Sequence, residues 1–150
     1  MLCILLSDIY TELIAEHNQS KENRRHLAHA TIKERGHNPS CGDEITLELE
    51  VADGVIKDAA FSGTGCAISQ ASTDMMIDLM RGKKVDEAKR LAELFIDMIH
   101  GDITDDAELE ELDEAISLKN ISNMPARVKC ATLAWHTLDT AINNSGDKHA

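Results

Sequence analysis

Apolar residues along the chain change their spacing several times, and each change marks an expected element. From Ser7 to His17, Ile9, Leu13 and Ile14 fall on one face of an amphipathic helix, with Ser7 or Asp8 as its N-cap. The following "NQSKENRRHLAHA" is polar and carries no strong period, so it reads as a loop with room for a short helical turn. "ATIKERG" is a weak strand candidate, and Pro39 and Gly42 in "NPSCGD" supply turn chemistry. Ile45, Leu47, Leu49 and Val51 then alternate with polar residues, the period of a half-buried strand. Asp53-Gly54 is a hairpin signal, and "VIKDAAFSG" is the return strand. A three-stranded antiparallel meander is the simplest arrangement.

The period then becomes helical. Ile68, Ala71, Met75 and Leu79 line one face of a helix that Gly82 stops. Val85, Ala88, Leu91, Leu94, Phe95, Met98 and Ile99 define another, ended by Gly101. Leu109, Leu112 and Ile116 suggest a short helix in the acidic stretch that follows. Pro125 sits where a first helical turn accepts it, and the last helix runs through "ARVKCATLAWHTLDTAIN". The polar tail, residues 144–150, is expected to be disordered. Strands followed by helices predict one α+β domain over residues 1–150, with helices packed on a small antiparallel sheet. Met75, Met76, Met80 and Met98 recur at helical spacing and read as core.

Charge narrows the partners. Fifteen basic against 27 acidic residues give a formal charge of −12, which opposes binding to nucleic acid and leaves a protein or a metal cation as the better partner. Eight carboxylates fall within Asp102–Glu114, either a solvated face or a docking surface for a basic protein. No apolar run is long enough to span a membrane, and "MLCILL" lacks the basic flank of a signal segment, so a cytoplasmic location is expected.

The four cysteines, Cys3, Cys41, Cys66 and Cys130, contain no CxxC pair, which argues against a thioredoxin-like redox site and a zinc ribbon. Cys41 precedes the long strand, Cys66 sits at a helix start behind "GTG", and Cys130 lies early in the last helix. A helix N-terminus favours thiolate at Cys66. Gly42 lets Cys41 and Asp43 aim at one point. Three thiolates and one carboxylate would complete a tetrahedral zinc site with a formal charge of −2. Soft sulfur ligands select zinc, copper(I) or iron–sulfur units. Scattered cysteines also serve as small buried apolar residues, and spacing alone leaves both readings open.

"NPSCGD", "FSGTGCAIS.AS..MM" and "PARVKCATLAW" resemble, in order and over nearly the whole chain, the three cysteine motifs of the IscU/SufU family, also called the NifU N-terminal family. The resemblance implies a SufE/NifU-like α+β fold with a three-stranded sheet and a role in iron–sulfur cluster assembly, with sulfur received from a SufS-like cysteine desulfurase. It implies the metal ligands Cys41, Asp43, Cys66 and Cys130, a zinc cofactor or a transient [2Fe–2S] cluster or iron, and delivery to a downstream scaffold or apo-protein. Lys129, where scaffold members carry histidine, and the inserted "DITDDAELEELDEAIS" both point to the SufU kind, a zinc-dependent sulfurtransferase. Cys41 is then the sulfur acceptor. A zinc-bound thiolate is a blunted nucleophile, so Cys41 must be freed from the metal before it attacks the persulfide. The alternatives are a scaffold that assembles a [2Fe–2S] cluster and a zinc-stabilised protein-binding module.

Other residues enter on position. Arg127, three residues before Cys130, shares its helical face and could hold thiolate charge or meet the partner. His37 is close enough in sequence to reach the Cys41 site, whereas His136 faces elsewhere. His17 is followed by Asn18, where the family typically has a His-Tyr pair and then a proline and a glycine, which alters the expected partner surface. Cys3 falls outside every motif.

Overall fold

The computed structural model describes residues 15–17, 22–39, 42–103, 106–123 and 125–149. Three strands form one antiparallel sheet in the order β1-β2-β3, with β1 Ile32–Asn38, β2 Asp43–Ala52 and β3 Val55–Thr64. The α+β class and the meander therefore stand as expected. β1 begins and ends two residues later than the motif "ATIKERG", because Ile32 pairs with Leu49 and Asn38 with Asp43. The hairpin between β2 and β3 turns at Asp53 (φ 55°) and Gly54 (φ 74°), the two positive φ values that a tight two-residue connection requires.

The helices follow: α1 Ala67–Met80, α2 Val85–Ile99, α3 Asp106–Leu109 and α4 Pro125–His149. Most of the helix expected over Ser7–His17 lies outside the described residues; Ala15–His17 are helical. The acidic stretch departs from expectation. After one α turn it becomes a 3-10 helix, Glu110–Asn123, and Leu109, Leu112, Ala115, Leu118 and Ile121 are all buried, while Ile116 is half-buried. A spacing of three matches three residues per turn, so the tighter helix places these side chains in one row where an α-helix would spiral them away. α4 is also longer than expected, its backbone helical to His149 rather than ending at Asn143.

The core lies between the sheet and the helices. Ile45, Leu47 and Leu49 of β2 meet Phe61 of β3, the methionines Met75, Met76 and Met80 of α1, and Leu91, Phe95 and Met98 of α2. α4 lies over β1 and against both α1 and α2. Trp135, fully buried, stacks on Phe95 at a ring separation of 4.0 Å and donates from Nε1 to Ser72 Oγ at 2.8 Å. Ser72 Oγ in turn donates to the Ala131 carbonyl at 2.6 Å. β1 can approach this helix because Gly36 has no side chain; a Cβ there would run into Thr137 Oγ1.

A buried polar cluster holds the N-terminal segment on α1. Asp74 accepts from Asn23 Nδ2 at 2.8 Å and pairs with His17 Nδ1, while Arg81 donates to Asn23 Oδ1 at 2.6 Å. Burial raises the Asp74 carboxyl above its ordinary range, against the downward pull of those two bonds. His17 thus serves packing. Among the described residues no helix is long and apolar enough to cross a membrane.

Trp135→Ala is expected to cost about 3–5 kcal/mol of unfolding free energy, the usual cost of emptying a large aromatic site. Trp135→Phe should cost less, and Ser72→Ala about 1 kcal/mol. Urea unfolding of the three variants checks the order.

Candidate metal centre

The sheet register builds the site. Glu44 pairs with Thr64 and Ile45 with Gly63, so the end of β3 passes directly beside the start of β2. Gly63 makes this crossing possible: its φ is 128° and an added Cβ would collide with the Glu44 carbonyl. The chain then reaches Gly65 and Cys66 next to Asp43. Cys66 N donates to Asp43 Oδ1 at 2.9 Å, and Cys66 Sγ stands 4.0 Å from Asp43 Oδ2.

Cys66 is the N-cap of α1, and its sulfur accepts from Ser69 N at 3.4 Å. The thiol therefore stands at the N-terminal end of the helix, with the Ser69 N–H directed at its sulfur. Cys130 arrives from α4, held one residue before the Ala131 carbonyl that Ser72 binds. The ligand atoms of Asp43, Cys66 and Cys130 all lie within 4.8 Å of one another. Asp43 and Cys130 are buried and Cys66 is half-buried. Cys41, the expected sulfur acceptor and fourth ligand, lies outside the described residues, as does Cys3; its neighbour Gly42 donates from N to the Asn38 carbonyl at 2.9 Å.

This donor set fits a small thiophilic cation. Zinc–sulfur bonds of about 2.3 Å in a tetrahedron would set sulfur ligands about 3.8 Å apart, close to the 4.0 Å between Cys66 Sγ and Asp43 Oδ2. Two sulfurs and one carboxylate exclude a magnesium-like preference. A second group, His17, Asp74 and Asp78, also has ligand atoms within 4.8 Å, but Asn23 Nδ2 donates to both carboxylates there and the cluster closes on itself.

The remaining candidates are placed on the flank. Arg127 and Lys129 are exposed at the start of α4. Lys129 lines a crevice of about 380 Å³ with His37, His100 and His136, beside Val128, Thr132 and Leu133. Burial, then the neighbouring His100, lowers the His136 pKa and favours its neutral form. Sequence spacing did not reveal Ser69 and Gln70, which stand behind the site. A Cβ added to Gly65 would lie 2.9 Å from Asp43 Oδ1 and 3.2 Å from both Gln70 Nε2 and Ser69 Oγ.

The model of the NifU-like N terminal domain matches residues 9–99. A protein of Thermotoga maritima named as the iron–sulfur cluster assembly scaffold protein IscU is 46% identical over 134 residues, covering 89% of this chain and 92% of that one. The zinc-dependent sulfurtransferase SufU of Bacillus subtilis is 34% identical over 137 residues, 91% of each chain. The crystal structure of a protein from Fervidobacterium islandicum, named for iron–sulfur cluster assembly in the SUF system, superposes with a TM-score of 0.82 at 37% identity, covering 87% of this chain and 94% of that one.

Gly65→Ala is expected to push the Asp43 carboxylate out of place and weaken zinc binding about tenfold or more. Competition with a chromophoric chelator measures it, and the far-UV spectrum of the metal-free variant should match wild type.

Proposed function

The chain belongs to the NifU-like N terminal domain family, whose relatives named above include iron–sulfur cluster assembly proteins and a zinc-dependent sulfurtransferase, and from this premise we propose that it is a zinc-dependent sulfur acceptor working with a cysteine desulfurase. The observation that carries the reading is the convergence of Asp43, Cys66 and Cys130 within 4.8 Å, with Cys41 two residues before Asp43. In this reading Cys41, Asp43, Cys66 and Cys130 hold the metal.

When bound, zinc would keep the site's thiols deprotonated at neutral pH and would tie together the three segments that carry its ligands. The transfer itself is ordinary thiol exchange. The Cys41 thiolate attacks the terminal sulfur of the desulfurase persulfide. The donor's S–S bond breaks as the new one forms, the donor cysteine leaves as thiolate, and Cys41 carries the persulfide with no net oxidation. A downstream scaffold or apo-protein then takes the sulfur.

Asp43 and the N–H groups of Cys66 and Ser69 make the site's rigid wall. On the flank, Lys129 and Arg127 are exposed cations on a chain of formal charge −12, suited to meeting an acidic patch on the partner. Lys129 precedes Cys130 and is a poor ligand while protonated, which supports a site closed by three cysteines and one aspartate.

A second reading has its own support: the relative at 46% identity is named as a scaffold. On that reading the same four side chains hold a [2Fe–2S] cluster as cargo. The two separate in one experiment. With reductant and no iron, the zinc-loaded chain should stimulate cysteine desulfurase turnover several-fold, and Cys41→Ser should abolish this. Unchanged turnover, together with iron and acid-labile sulfide retained after reconstitution, would favour the scaffold.

A further inference from the structure

α1 carries an unusual load of buried polar side chains: Ser69, Gln70, Ser72, Thr73 and Asp74 are all at most 4% exposed. Three of them are satisfied. Ser72 bridges Ala131 and Trp135, Thr73 Oγ1 donates to the Ser69 carbonyl at 2.8 Å, and Asp74 is held by Asn23 and His17. The two nearest the cysteine cluster are not. Ser69 Oγ and both amide atoms of Gln70, Nε2 and Oε1, are buried without a hydrogen-bond partner. Leaving such groups unpaired in a protein interior is costly, so a buried orphan next to a functional site calls for a partner that arrives later.

Their position says what that partner is. Ser69 Oγ and Gln70 Nε2 crowd the same face of Gly65 as Asp43 Oδ1. Asp43 already takes the Cys66 N–H, and Cys66 Sγ takes the Ser69 N–H. A metal centre of three thiolates, one carboxylate and a doubly charged cation carries a net charge of −2, and on the buried side formed by Asp43 and Cys130 such charge is tolerated only when further donors surround it. Both unpartnered groups carry an N–H or O–H to give.

We propose that Ser69 Oγ–H and Gln70 Nε2–H are positioning donors that close on Asp43 and the thiolate sulfurs when the site takes up its metal. The metal-free chain holds them unpaired, and loading satisfies them, so their unpaired cost in the empty state adds to metal affinity. The inference rests on the reading of Asp43, Cys66 and Cys130 as a metal centre, and is independent of whether the site then accepts sulfur.

The signature is a change of opposite sign in two quantities. Gln70→Met keeps the length of the side chain and removes the orphaned amide. The metal-free variant is expected to melt at or above the wild-type temperature, while its zinc affinity, read by chelator competition, falls 10- to 100-fold. Ser69→Ala should act in the same direction with a smaller loss. Independently, the Gln70 side-chain NH₂ signals, identified by their absence in Gln70→Met, should shift and exchange more slowly with solvent on addition of zinc to the wild-type chain. Wild-type zinc affinity in Gln70→Met, or Gln70 NH₂ signals indifferent to zinc, would overturn the proposal. Cys66→Ser keeps the two failures apart: if it loses zinc while Gln70→Met does not, only the donor role fails; if Cys66→Ser binds zinc as wild type does, the metal-centre reading fails and the donor role with it.

Discussion

The arrangement of the site depends on how α4 docks against α1, and that docking turns on one hydroxyl. Ser72 Oγ donates to the Ala131 carbonyl and accepts from Trp135 Nε1, while the indole stacks on Phe95 of α2. Ala131 follows Cys130 directly, and Ser72 is six residues beyond Cys66 on a single helix. The bond that fixes the register of two helices thus fixes the separation of two sulfurs. Apolar packing alone permits a slide along the helix pair; a directional pair of hydrogen bonds buried with a tryptophan does not.

The sheet supplies the other half of the geometry. Asp43 is the first residue of β2, and the pairing of Glu44 with Thr64 brings the β3 exit alongside it. Asp43 therefore meets Cys66 beside a strand pair, and Cys66 meets Cys130 across the pair of helices α1 and α4. Asp43, Cys66 and Cys130 each sit at or near the end of a packed strand or helix, which favours a site whose ligands are held before a cation arrives. On α4, which carries Cys130, Arg127 and Lys129 are exposed positive charges on a chain of formal charge −12.

Much of this was legible in the sequence. The alternation of Ile45, Leu47, Leu49 and Val51 and the Asp53-Gly54 turn announce the hairpin, because a period of two and positive φ have few other uses. The three cysteine motifs, in order, announce the family. Other features were hidden for physical reasons. The 3-10 helix over Glu110–Asn123 shares its apolar spacing with a rough α period, and only burial separates Ala115, Leu118 and Ile121 from Ile116. Gln70 lies off the apolar face expected for α1, a place normally given to solvent. Here β3, α4 and the 3-10 helix cover α1, so Gln70 is enclosed. His17 offers no local sign that it pairs with Asp74, 57 residues away.

The central claim is that the aspartate–cysteine centre at the joint of sheet and helices serves to receive sulfur on Cys41. The most direct measurement is the mass of the peptide carrying Cys41, trapped by alkylation after the zinc-loaded chain meets the desulfurase and cysteine. A gain of one sulfur atom on that peptide, absent from the peptides of Cys66 and Cys130, is the predicted result. No sulfur on Cys41 while the desulfurase itself is fully persulfidated would contradict the account.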